Sequence, residues 1–207
     1  MKIIKKVREY IDNHYSNPKG LIGMYIGEKM VRQHKPETHW TIQLLDIKQD
    51  ETILELGCGA GYAMKLLLEQ SNVKLIVGLD ISKSVLRLAA FRNRKNIKIG
   101  RVKLVKNEVS HMKFPEFSFN KVFSVHSVYF WEDKQKSIME IYRVLKPEGT
   151  VVLTLSDGKN GVTSEWTKDM IEKQLIPCME KCGFRDIKKL RGQNSREYHT
   201  ISIRAKK

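Results

Sequence analysis

A run of apolar residues, Ile53-Leu54-Glu55-Leu56, passes directly into Gly57-Cys58-Gly59-Ala60-Gly61. Glycine has no Cβ, so Gly57 and Gly59 let the chain turn sharply and bring a ligand against the main chain. Taken alone, such a loop is equally a tight turn with no ligand. Two acids further along give it a purpose. Asp80 ends Leu75-Ile76-Val77-Gly78-Leu79-Asp80, and Glu108 lies just past the run Arg101–Lys106. At the carboxyl edge of a parallel sheet, Asp80 can accept hydrogen bonds from both hydroxyls of a ribose, and Glu108 from the exocyclic amine of adenine. A dinucleotide is the competing ligand. Its fingerprint wants a glycine at position 62, where Tyr62 stands, and Glu55 suits an ammonium group better than a pyrophosphate.

A second group follows the fourth apolar run: Ser124-Val125-His126-Ser127-Val128-Tyr129-Phe130-Trp131. An unperturbed imidazole titrates near neutral pH, so His126 is the first candidate for a catalytic general base. The alternative is a packed strand-end histidine. Tyr129, Phe130 and Trp131 are candidates to wall a substrate pocket, with His34, His39 and Trp40 closing it from the N-terminal side; buried core aromatics are the plainer reading of such a cluster. No metal is expected, because His34 and His39 are five residues apart with no acidic partner placed for one. Cys58, Cys178 and Cys182 cannot pair completely and lie in no zinc-binding pattern.

These groups need a scaffold, and the chain has the material for one. Its 207 residues are 41% hydrophobic, with 38 Lys+Arg against 23 Asp+Glu for a net charge of +15. Apolar runs recur throughout, which excludes a disordered chain. No stretch approaches the roughly 20 apolar residues that span a bilayer, and Met1–Tyr15 carries charges where a secretory signal needs an apolar core, so the chain reads as cytoplasmic with no stable membrane insertion. Between Asp80 and Glu108 stand nine cations and no acid: Lys83, Arg87, Arg92, Arg94, Lys95, Lys98, Arg101, Lys103 and Lys106. That stretch reads first as a solvated face, and second as a surface for phosphates or anionic lipid.

From Glu51 onward, strand-like runs alternate with helical ones. Strands are expected at Thr52–Leu56, Lys74–Leu79, Arg101–Lys106, Lys121–Val125 and Thr150–Leu155, and helices at Gly61–Gln70, Ser82–Asn93, Lys134–Leu145 and Ser164–Cys182, with Ser82 and Ser164 as N-caps. This alternation specifies an α/β fold, a three-layer doubly wound, mostly parallel sheet. Phe184–Leu190 and Glu197–Ala205 have no helix between them and should pair antiparallel. The first fifty residues read as a helical cap: an amphipathic helix over Met1–Tyr15, an apolar segment Leu21–Arg32 and a helix from Thr38 to Leu45. The whole is expected to be one domain, with residues 1–50 as cap and 51–207 as core.

The motifs together resemble the class I, seven-stranded Rossmann-like S-adenosylmethionine-dependent methyltransferases. They are Glu55-Leu56-Gly57-Cys58-Gly59-Ala60-Gly61, the strand-end Asp80, Asn107–Phe114, Ser118–Val122, and Glu140-Ile141-Tyr142-Arg143-Val144-Leu145-Lys146-Pro147-Glu148-Gly149, covering about residues 45–155. Within the class the chain resembles the ubiquinone/menaquinone-biosynthesis type of small-molecule methyltransferase. The resemblance implies S-adenosylmethionine as cofactor, with Glu55 near the methionine amino group and Gly57, Cys58 and Gly59 along the methionine and ribose. It further implies Asp80 on the ribose, Ile81 against the adenine, Glu108 on the adenine amine and Val109 as a backbone contact. Departures are Glu108 and Asn107 where a Gly-Asp pair is common, Asn120 for Asp, Glu148 for Gly, and Tyr129-Phe130 where many relatives carry a histidine pair. The expected activity is methyl transfer to a small molecule. The rivals are RNA or protein methylation through the basic stretch 83–106, and a nucleoside-binding protein without turnover.

Overall fold

The computed structural model describes residues 20–207; the helix expected over Met1–Tyr15 lies outside them. The described chain opens with α1 (Gly20–Gln33) and α2 (Lys35–Leu44). Pro36 sits in the first turn of α2, where a missing N–H costs nothing, so the second helix begins three residues before the expected Thr38.

Five strands then follow in the expected places: β1 (Thr52–Leu56), β2 (Leu75–Asp80), β3 (Val102–Lys106), β4 (Phe119–Val125) and β5 (Leu145–Lys159). Between them lie α3 (Tyr62–Gln70), α4 (Lys83–Arg92) with a short α5 (Arg94–Lys98), and α6 (Lys134–Val144). Ser82 caps α4, its hydroxyl accepting from the Val85 N–H at 3.4 Å, and Asp133 caps α6. β5 to β1, β4 and the rest form one sheet in the order β3-β2-β1-β4-β5-β8-β7, with a two-residue β6 (Val162–Thr163) pairing off β5. All pairings among β1 to β5 are parallel.

The C-terminal strands β7 (Arg185–Arg191) and β8 (Tyr198–Lys206) pair antiparallel, as expected. They enter the sheet out of chain order: β8 lies between β5 and β7 and is antiparallel to both, which leaves β7 running with the parallel set. Seven strands therefore lie on the main path, and the eighth is the β6 stub.

The helix expected over Ser164–Cys182 is one helical run in three pieces, α7 (Glu165–Asp169), a π-helical segment Met170–Leu175, and α8 (Ile176–Cys182). Pro177 accounts for the change of pitch. It has no N–H to give the Lys173 carbonyl four residues back, and the wider turn just before it accommodates the ring.

Strand side chains alternate between faces, and both faces are covered. Leu54, Leu56, Val122, Leu153 and Ile203 pack on one side with Ile138 and Ile141 of α6. Ile53, Ile76, Phe123 and Val152 pack on the other with Leu45, Met64 and Leu67.

Candidate active site

In this strand order the chain winds one way from β1 through β2 to β3 and the other way through β4 and β5. Loops leaving the carboxyl ends of β1 and β4 therefore diverge and open a crevice. A cavity of about 540 Å³ fills it, walled by the loops after β1, β2, β3 and β4 and covered by Gly27, Met30, Val31 and His34 of the α1–α2 region.

The three loop glycines serve three purposes. Gly57 has φ 71°, and a Cβ there would lie 2.3 Å from the Ser127 Cβ. Gly61 has φ 74°, and a Cβ would lie 2.7 Å from Asn93 Nδ2, whose amide donates to the Gly61 carbonyl at 2.9 Å. Gly59 has φ 49° and nothing within 4 Å of its would-be Cβ. Gly59 thus leaves its would-be Cβ side open to a ligand, whereas Gly57 turns that side to Ser127; Gly57, Cys58 and Gly59 all line the cavity. The loop is tied to β2 by the Gly57 and Cys58 N–H groups, which donate to the Leu79 carbonyl at 2.8 and 3.0 Å.

Asp80 is fixed at both oxygens: Oδ2 accepts from the Gly59 N–H and Oδ1 from the Ser82 N–H, each at 2.9 Å. Burial pushes its carboxyl upward, with those backbone bonds opposing. Glu55, also in the cavity wall, is buried, and its Oε2 has no hydrogen-bond partner among the described residues. Burial and then the Asp80 charge push the Glu55 carboxyl well above its ordinary value. Ile81 and Val109 line the same part, and Glu108 stands at the exposed rim, 3.9 Å from His111 Nδ1. Cys58 is buried, its Sγ beside Gly78.

On the opposite side His126, directly after β4, has φ 55° and lines the cavity. Its two ring nitrogens face Tyr129 and Glu37, and Nε2 has no hydrogen-bond partner among the described residues. Nδ1 lies 3.4 Å from the Tyr129 hydroxyl, and Nε2 is 3.7 Å from Oε1 of Glu37. Burial holds the imidazole below its ordinary pKa despite that carboxylate. Glu37 is 1% exposed; burial pushes its carboxyl up, but contact with His126 and His34 outweighs this and holds it far below the carboxylate range. His34 lies 3.8 Å from Glu37 Oε1, its ring 4.2 Å from that of His126, and Arg196 of the β7–β8 loop reaches both His34 and Glu37. Sequence reasoning missed Glu37 and Arg196. It sought a partner for His34 in His39, while the acid stood three residues after His34, across the start of α2.

Of the six residues expected to wall or close a substrate pocket, His34, Phe130 and Trp131 line the cavity, and Tyr129, His39 and Trp40 do not. The Trp131 Nε1–H donates to Ser127 Oγ at 3.2 Å. Tyr129 is turned away because its hydroxyl donates to the Ser156 carbonyl at 3.0 Å. His39 is exposed and reaches the cavity only through Tyr62, whose hydroxyl is 3.2 Å from its Nε2. Trp40 packs over Gly192.

The basic stretch divides as well. Arg92 is a structural clamp rather than a solvated cation: its guanidinium donates to Glu28 of α1 and to the carbonyl of Ala60 in the glycine loop. Arg101 donates to the Val73 carbonyl at 3.0 Å, and Lys106 lines the cavity. Among the described residues no helix is long and apolar enough to cross a membrane.

The chain matches the family described as methyltransferase domain over residues 54–153. It is 33% identical over 164 residues to the Bacillus subtilis protein named uncharacterized methyltransferase YdaC, covering 79% of this chain and 88% of that one. Against the demethylmenaquinone methyltransferase of Oceanobacillus iheyensis it is 28% identical over 125 residues, 58% of this chain and 51% of that one. Among solved structures, an Aquifex aeolicus SAM-dependent methyltransferase superposes with TM-score 0.66 at 17% identity, over 88% of this chain and 97% of that chain. Haemonchus contortus phosphoethanolamine N-methyltransferase 2 in complex with S-adenosyl-L-methionine gives TM-score 0.72 at 20% identity, over 89% and 56%. With the winding, the glycine loop and Asp80 in place, the chain belongs to the class I S-adenosylmethionine-dependent methyltransferases, and S-adenosylmethionine is its cofactor.

Proposed function

We propose that this enzyme methylates a small molecule which enters between the cofactor and the α1–α2 cap. One observation carries the reading: Gly59's open face, the Asp80 carboxylate and the unpartnered Glu55 Oε2 converge on one side of a cavity whose other side is the largely apolar cap.

The residues fit the cofactor. Glu55 offers a buried, unmet oxygen to an ammonium group, and the fixed Asp80 carboxylate keeps a lone pair on each oxygen for ribose hydroxyls. Ile81 and Val109 provide apolar contact for a base, and Glu108 stands where it can accept from the base's amine at the rim. Gly57 and Cys58 support this side by shaping the loop. When bound, S-adenosylmethionine supplies a methyl group already activated by the sulfonium charge. The protein's part is then to align the acceptor and exclude water, through the cap residues Met30, Val31 and His34 and through Phe130 and Trp131. His126 is a wall and positioning residue in this reading, since both of its nitrogens are turned to Tyr129 and Glu37. The chain works as a single unit in which the segment ahead of β1 caps the cofactor-binding core.

A nucleic-acid acceptor is disfavoured by Arg92, a cation of the basic stretch that is spent internally on Glu28 and the Ala60 carbonyl. The test is to incubate the enzyme with methyl-labelled cofactor and fractionated cell extract. Label is expected in a low-molecular-weight fraction. Label confined to RNA or protein would overturn the small-molecule reading.

A further inference from the structure

On the acceptor side of the cavity, one ring nitrogen each of His34 and His126 and a carboxylate oxygen of Glu37 lie within 4.8 Å of one another. They come from the start of α2 and the end of β4, elements that only the fold brings together. We propose that they form a site for a first-row divalent cation of the zinc or iron(II) class, with open positions facing the acceptor. The proposal rests on the methyltransferase reading only for what the ion would hold; the site itself stands on these three side chains.

Donor chemistry is the first support. Two imidazoles and one carboxylate are the set that binds such ions, whereas magnesium and calcium favour oxygen ligands alone. Metal–ligand bonds of about 2.0–2.2 Å place tetrahedral donors roughly 3.4 Å apart. The His34–Glu37 and Glu37–His126 separations are 3.8 and 3.7 Å, so these two pairs need little contraction, and all three donors already lie within 4.8 Å.

The second support is unmet hydrogen bonding. His126 is 8% exposed and Glu37 1%, yet His126 Nε2 and Glu37 Oε2 have no hydrogen-bond partner among the described residues. Buried polar atoms are seldom left so without an ion or water to meet them. Nδ1 of His126 faces the Tyr129 hydroxyl, which in turn is held by Ser156, the kind of outer support that orients a ligating imidazole.

Arg196 is the competitor. Its Nη2 lies 3.3 Å from His34 Nδ1 and 3.4 Å from Glu37 Oε1, so a guanidinium already offsets the carboxylate. It leaves His126 Nε2 unmet, and its side chain is 38% exposed on the β7–β8 loop, from which it can swing outward. With the ion in place, His34 and His126, which both line the cavity, would direct its remaining positions toward an acceptor carrying a hydroxyl, carbonyl or carboxylate oxygen.

The experiment uses the full chain without a polyhistidine tag, stripped of metal, titrated with Co2+ and read by its visible d–d absorption, with Zn2+ calorimetry alongside. One equivalent in ordered nitrogen and oxygen coordination is expected. His34→Ala and Glu37→Gln should each weaken Co2+ binding about tenfold or more. Arg196→Ala should bind Co2+ at least as tightly as the parent, because the competing cation is gone. His126→Ala should weaken Co2+ binding likewise, with His126→Gln in its place if the alanine variant fails to fold by circular dichroism. Absent Co2+ binding, binding unchanged by His34→Ala and Glu37→Gln, or weakened binding in Arg196→Ala would overturn the site, the last showing that the cluster is a salt-bridge network. S-adenosylhomocysteine calorimetry on the same proteins keeps the two readings apart: lost metal binding with intact cofactor binding overturns this proposal alone.

Discussion

Gly57 and Ser127 leave no room for a methyl group between them, since a Cβ on Gly57 would stand 2.3 Å from the Ser127 Cβ. The Ser127 hydroxyl also donates to the Leu56 carbonyl at 2.9 Å, so the loops after β1 and β4 are held together at this point. Gly57→Ala is therefore expected to destabilise the fold by about 2 kcal/mol or more, from overpacking and a left-handed φ. That lowers the melting temperature by roughly 4–8 °C.

Gly59 should behave in the opposite way. With open space at its Cβ position, Gly59→Val keeps a folded protein at a backbone cost of about 1–2 kcal/mol, and loses cofactor binding because the side chain enters the ligand's space. Circular dichroism reports the fold and calorimetry with S-adenosylhomocysteine the affinity. Undiminished affinity in a folded variant would show that the loop does not approach the ligand.

Asp80→Ala removes both oxygens proposed to accept from the ribose, together with the acceptors of the Gly59 and Ser82 N–H groups. Cofactor affinity is expected to fall by about 1.5–3 kcal/mol, or roughly tenfold to a hundredfold. Titration calorimetry decides it, and NAD should not bind parent or variant.

The raised Glu55 carboxyl gives binding and stability opposite pH dependences. Binding a ligand's ammonium favours the ionised acid, so below the raised pKa a proton must first leave and affinity falls toward acid. Stability runs the other way. A carboxyl whose folded pKa exceeds its unfolded one contributes stability that is present below the unfolded pKa and lost as pH rises through the folded one. At neutral pH, Glu55→Gln should therefore melt above the parent when no cofactor is present and bind cofactor with a flatter pH profile. Some slope remains, because Asp80 is raised in the same direction. Calorimetry in two buffers of different ionisation enthalpy should show proton release for the parent and less for the variant.

Arg92→Gln cuts the link between α1 and the glycine loop and should cost about 1–2 kcal/mol in thermal or denaturant melts. Replacing Arg94, Lys95 and Lys98 together with Gln should stay within about 0.5 kcal/mol of the parent and leave methyl transfer unchanged and insensitive to salt. Salt-dependent RNA binding that disappears in the triple variant, along with turnover, would instead identify this face as a phosphate grip.

The cofactor side was legible because its signals are local. Gly59, Asp80 and Glu108 each lie at or just past a strand whose apolar run marks its own end, and successive strands place those ends together. The acceptor side was not, because its cluster joins residues 34, 37, 126 and 196, and no spacing within one segment records such a meeting. Tyr129 illustrates the same limit: an aromatic after β4 reads as a pocket wall until its hydroxyl finds the backbone of Ser156. Charge counting could not separate Arg92 from Arg94, since the difference lies in Glu28 and Ala60 across the fold. Pro177 did carry a local signal for the break in the final helix, and the even apolar pattern of 164–182 masked it.

The position of β8 between β5 and β7 has a consequence for how the chain reaches its native state. β7 is synthesised before β8, yet every sheet partner β7 has lies on β8, and β5 waits on β8 for its second edge. Until Tyr198–Lys206 is available, two rows of backbone donors and acceptors stand open to pairing with other chains. The short connection between β7 and β8 offers the escape, since a hairpin closes far faster than a distant strand is captured. β7 and β8 would then dock on β5 as a preformed ribbon, making this the slow, aggregation-exposed step of folding and the stage at which a nascent chain gains most from a chaperone.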